Sequence, residues 1–142
     1  MLRPREFATS FLLHAAWFEA AHFGGLKPIQ MVAQCIGNRV RLGWGDWHQV
    51  LSCLPQYSAE LASLRQEHWL QFQLPAQNDP RFLALLPLMD QVYDNSGERL
   101  VGEAVLWADA RRIESAWFRG ATHPVTGQFK RCGGSAELIL FG

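Results

Sequence analysis

Two helical patterns joined at Gly24-Gly25 fill the stretch from Thr9 to Val40, TSFLLHAAWFEAAHFGGLKPIQMVAQCIGNRV, and the rest of the chain must pack around that pair. Leu12, Ala15, Ala16 and Glu19 fall at i, i+3, i+4 and i+7, so one acid shares the stripe that faces the core. A carboxyl set among apolar side chains resists ionisation. The carbonyl end of a helix, with its partial negative charge, acts in the same direction. Both effects favour a glutamic acid that keeps its proton near neutral pH, and a donor of that kind is what cleavage of a glycosidic bond requires. The competing reading is a half-solvated Glu in a last helical turn, and the rest of the chain has to decide between them.

A chain of 142 residues fits one domain, 1–142, long enough to bury a real core. Its 13 basic and 13 acidic residues balance and no stretch concentrates Lys and Arg, which argues against nucleic acid as a partner. Six Trp, nine Phe and two Tyr exceed what a small core needs. Such rings either line a groove for sugar faces or simply fill the core. Cys35, Cys53 and Cys132 are odd in number, and Cys35 falls in an apolar helical pattern as a small hydrophobe. His and Cys lack metal-site spacing, so no metal and no cofactor are expected. The apolar run Phe7 to Ala21 follows two arginines but is interrupted by His14 and Glu19. It is read neither as a signal peptide nor as a membrane span.

Along the chain, Arg3 to Glu6 reads as an extended lead-in, with Thr9 or Ser10 capping the first helix. Gly24 or Gly25 ends it, Pro28 suits the first turn of the second helix, and Gly43 closes that helix. Ile29, Val32, Ala33, Ile36 and Val40 form the second buried stripe, while Gln30, Gln34 and Asn38 stack on another face, where they are either solvated or, for Asn38, hold a loop. Asp46 caps a short helix from Trp47 to Cys53. The pattern weakens from Ala59 to Asn78, with one or two helical turns expected there. A helix then runs from Asp79-Pro80 to about Tyr93, with Leu83, Leu86 and Asp90 or Met89 on successive turns and a kink at Pro87. Asn95-Ser96-Gly97 stops it. Ala104 to Trp107 and Glu137 to Phe141 read as short strands separated by Trp117-Phe118, the turn at His123-Pro124, and Gly133-Gly134. Helices first and strands last predict an α+β domain, mainly helical, with a small antiparallel sheet in the C-terminal half.

In that order the pieces resemble the SleB-type cell wall hydrolases, the family of the spore-cortex-lytic enzyme catalytic domain. The family's Glu-Ala dipeptide at a helix end and its following AVAQVVLNRV helix correspond to Glu19-Ala20 and to Met31 to Val40. Its Gln-Phe-Ser element resembles Gln56-Tyr57-Ser58. Its ALYF-type strand with a following Asn resembles Ala104 to Trp107 with Asp109. Its terminal Trp, PVT-like turn, Gly pair and apolar strand are echoed by Trp117, Pro124-Val125-Thr126, Gly133-Gly134 and Leu138 to Phe141. Two departures stand out. The family's EARGE motif here reads Glu19-Ala20-Ala21-His22-Phe23, without the second acid, and the family's last-strand His has no counterpart beside Glu137 or Leu138.

The resemblance implies a lysozyme-like fold and a lytic transglycosylase acting on peptidoglycan glycan strands. Glu19 would be the catalytic acid. Gln56, Tyr57, Ser58, Trp107, Asp109 and His22 would be the substrate-binding residues, His22 standing in for a lost family function. With a compact chain in which neither a signal peptide nor a separate wall-binding domain is read, that activity leads to the expectation of a phage-encoded or virion-carried enzyme acting in a virion or at an extracellular or periplasmic site, with phage tail or other virion proteins as partners. Two alternatives remain open. One is a non-catalytic module that keeps the fold and binds glycan or builds a phage tail. The other is a hydrolase in which Asp46, Glu60 or Asp109 activates water.

Overall fold

The computed structural model describes residues 4–54, 80–111, 123–135 and 138–142. Among them are four α-helices, α1 (Pro4–Ala20), α2 (Leu26–Arg41), α3 (Trp47–Ser52) and α4 (Pro80–Tyr93), and three strands, β1 (Leu106–Asp109), β2 (Arg131–Gly134) and β3 (Leu138–Phe141). The strands form an antiparallel sheet in the order β1-β3-β2. The expected α+β class with a small C-terminal sheet is found.

α1 starts earlier than the sequence suggests. Pro4 occupies the first helical turn, where its missing N–H costs nothing. Thr9 is then interior, and its hydroxyl donates back to the Arg5 carbonyl at 2.9 Å instead of capping the helix. Arg5, read as part of an extended lead-in, is helical and pairs with Asp94 at the far end of α4. The helix ends where expected: a 3₁₀ turn, Ala21–Phe23, leads into Gly24 at φ 89°, in the left-handed region that glycine enters without cost.

α2 carries the centre of the core. Ile29, Val32, Ala33 and Ile36 are fully buried, and each fully buried Ile contributes about 1.5–3 kcal/mol relative to exposure. α1 packs against α2, α3 and α4, and α2 also packs on α4 and β1. A Cβ at Gly37 would lie 2.8 Å from Val92 Cγ1, so the α2–α4 approach requires a residue without a side chain there. The end of α2 is a Schellman turn: Gly43 N–H reaches Val40 O at 3.2 Å and Trp44 N–H reaches Arg39 O at 2.9 Å. Gly43, at φ 91°, permits the reversal that brings Trp44 back over the helix.

The polar stack on α2 holds the loop before β1. Gln34 donates to Glu98 O at 2.6 Å and accepts from Leu100 N at 2.8 Å, while Asn38 donates to Gly102 O and Ala104 O, both at 2.8 Å. α3 begins with the expected cap, reinforced by a reciprocal bond: Asp46 accepts from Gln49 N, and the Gln49 side chain accepts from Asp46 N.

Three expectations for α4 and the sheet are corrected. Leu83 and Leu86 of α4 face solvent, and the buried stripe is Leu85, Met89 and Val92, one face further round. Gly133-Gly134, read as a separator, lies inside β2 and pairs with Leu140 and Ile139. β1 also runs two residues later than expected, from Leu106 to Asp109. Among the described residues no helix is long and apolar enough to cross a membrane.

Candidate active site

Glu19 is the penultimate residue of α1 and is 8% exposed, on the stripe predicted from its spacing with Leu12, Ala15 and Ala16. Strand periodicity brings its neighbours. Residues alternate across β1, so Trp107 and Asp109 share one face of the strand while Leu106 and Ala108 share the other and join a second apolar cluster. Trp107 reaches the helix end, and its Nε1–H donates to Glu19 Oε2 at 3.4 Å, a long bond for this donor. An indole N–H can only donate, so Oε2 is the accepting oxygen of this contact. Desolvation acts against the carboxylate form while this donor supports it.

Asp109, the last residue of β1, has a side chain 16% exposed. Its Oδ2 lies 3.7 Å from His22 Nε2, and its Oδ1 accepts from the Arg111 backbone N–H at 2.9 Å. Burial pushes this carboxyl upward, but the Arg111 amide and guanidinium and the nearby His22 outweigh it, holding the group below the ordinary carboxylate value. His22 is half exposed and lies against Phe23, with ring centroids 4.1 Å apart. Glu19 and Asp109 are therefore carboxyls in unlike surroundings, one buried beside an indole and one held ionised beside the Arg111 amide and guanidinium.

Of the residues singled out in the sequence, Glu19, His22, Trp107 and Asp109 thus lie at one end of α1, although they come from two distant segments. Gln56, Tyr57 and Ser58 lie outside the described residues, as does Trp117. Among the described residues no cluster of three or more His, Cys, Asp or Glu is placed to hold a metal ion.

The sequence reading missed Arg39. Its side chain is 1% exposed, its Nε donates to Val105 O at 2.8 Å, and its guanidinium carbon lies 5.1 Å from the centre of the Trp107 ring and 5.3 Å from that of Trp44. A signal was present. Val32, Ile36 and Arg39 fall at i, i+4 and i+7, so the arginine lies on the buried stripe of α2. His123 was read only as part of a turn. It is buried between Trp44 and Phe129, with centroid distances of 5.2 and 4.9 Å, and its Nδ1 accepts from the N–H groups of Val125 and Thr126.

Comparison with known proteins found no matching family model, no matching curated protein and no matching solved structure.

Proposed function

We propose that this chain is a peptidoglycan-cleaving glycosidase with a lysozyme-like arrangement, acting as a lytic transglycosylase whose acid is Glu19. The observation that carries the reading is the Glu19 carboxyl itself: buried at a helix end and met on one oxygen by the Trp107 indole, with the Asp109–His22 pair at the same end of α1. A protonated Glu19 gives its proton to the oxygen leaving between N-acetylmuramic acid and N-acetylglucosamine. The muramyl 6-hydroxyl attacks the anomeric carbon, the glycosidic bond breaks, and the carboxylate takes the hydroxyl proton, which restores the acid. One carboxyl therefore serves both steps. Trp107 keeps Glu19 in place, and the Asp109–His22 pair offers an acceptor and a ring edge to sugar hydroxyl and N-acetyl groups.

Asp109 also favours a second reading. An ionised carboxylate near a buried acid is the pairing that hydrolytic glycosidases use, at separations of about 5–9 Å, with the ionised member activating water or attacking the sugar. The products separate the two, because only the transglycosylase route forms 1,6-anhydromuramic acid. Digestion of purified peptidoglycan by wild type, Glu19→Gln and Asp109→Asn, read by mass spectrometry of the muropeptides, is the test. Anhydro products are expected from wild type, with a loss of roughly a hundredfold or more in Glu19→Gln. Reducing ends that disappear in both variants would favour the hydrolase. Wall binding without cleavage by any of the proteins would leave a glycan-binding module.

A further inference from the structure

A guanidinium buried as fully as that of Arg39 persists only where neighbours replace its water. Among the described residues these neighbours include two indole faces and a backbone carbonyl, and one of the indoles is the ring that donates to Glu19. α2 thereby reaches the carboxyl on α1 through a side chain on β1. We propose that Arg39 is a positioning residue of the Glu19 site, fixing the plane of the Trp107 indole and, through its N–H, the orientation of the Glu19 carboxyl.

The physical basis is the match of shapes. A cation is attracted to the face of an indole more strongly where water is excluded, and the flat guanidinium also stacks on it, so the ring has one favoured plane. The bond from Nε to Val105 O ties that plane to the backbone two residues before Trp107 on the same strand segment. Trp44, delivered by the Schellman turn of α2, sets a second ring 5.3 Å from the guanidinium carbon. Lys keeps the charge but has neither the planar face nor the Nε donor, so Arg39→Lys separates position from charge. The role assigned to Glu19 rests on the glycosidase reading; the contact from Arg39 through Trp107 to Glu19 does not.

The test follows the Trp107 indole N–H resonance against pH in wild type, Arg39→Lys and Arg39→Met. Trp107→Phe assigns the resonance. Its step that disappears in Glu19→Gln belongs to Glu19 and not to His22, Asp109 or Arg111, which also lie at this end of α1 among the described residues. In Arg39→Lys the resonance is expected to leave its wild-type position and its Glu19 step to move by about half a pH unit or more, a threefold change in proton affinity. Cleavage by that variant should fall about tenfold in kcat with KM within about twofold. A folded Arg39→Lys with the wild-type resonance and midpoint overturns the proposal and leaves Arg39 a packing residue. A second measurement leaves Arg39 intact: Glu19→Gln should shift the Arg39 Nε–H resonance, and this response should vanish when Trp107 is Phe. An Arg39 resonance indifferent to Glu19 also overturns the proposal. If wild type releases nothing from peptidoglycan, the glycosidase reading fails while the resonances still decide the role of Arg39.

Discussion

Cys35 shows how far burial alone changes the chemistry of a side chain. It is fully enclosed in α2, and desolvation pushes its thiol up to about 12, with the Arg39 charge opposing only in part. The reactive species is the thiolate, so this cysteine is inert in the folded protein. Cys53 and Cys132 are exposed. A thiol titration with a disulfide reagent should give two groups reacting in native protein and the third only in denaturant. Three fast groups in native buffer would show that α2 is not packed as described. The same reasoning separates the two carboxyls of the candidate site. Glu19 and Asp109 are alike in chemistry, and what distinguishes them is which donors and how much water each one meets.

Amphipathic register governs the helices, and α4 tests it most directly. The run FLALLPLM is apolar on nearly every side, so spacing alone selects no unique face. Packing against α1 and α2 selects Leu85, which is fully buried, and leaves Leu83 at 54% exposed. Leu85→Ala should therefore cost about 2–5 kcal/mol, through lost transfer energy and the cavity left behind. Leu83→Ala should stay within about 0.5 kcal/mol of wild type. Denaturant melts of both variants check this, and equal costs would mean that the helix is rotated. The helix ends are better specified. Asn95 at φ 54° closes α4 through Ser96 N–H to Gln91 O and Asn95 N–H to Val92 O, the same device that Gly43 supplies to α2.

The stability of the whole molecule should depend on pH through His123. Burial lowers its proton affinity below the ordinary histidine value of 6.5, and Nδ1 already accepts two backbone N–H groups, so protonation opposes the fold. A folded-state value below the unfolded one gives a contribution that is fully present above about pH 6.5 and is lost as pH falls through the depressed folded value. Melting temperature should fall from about pH 7 to about pH 5 in wild type, and fall less steeply in His123→Gln. An identical slope in both would remove His123 as the cause. Asp94 and Asp109, held below their ordinary value of 3.8, act in a more acidic window and do not confuse the comparison.

By itself the sequence determined what short-range periodicity and caps can encode: the core stripes of α1 and α2, the glycine that ends each, the Asp46 cap, and two of the three strands of the C-terminal half. Glu19 was legible for the same reason, because its place on the stripe of α1 depends only on residues within two turns of it. Tertiary structure decided which face of α4 is buried, that Gln34 as well as Asn38 holds the loop before β1, and that Gly133-Gly134 joins a strand, since each depends on a partner far along the chain. It also decided the surroundings of Glu19. Trp107 is 88 residues away, and no local rule states that its indole reaches back to α1. Arg39 lay on a readable stripe, but a charged residue there fits a core only when the rings of Trp44 and Trp107 arrive from elsewhere to replace its water.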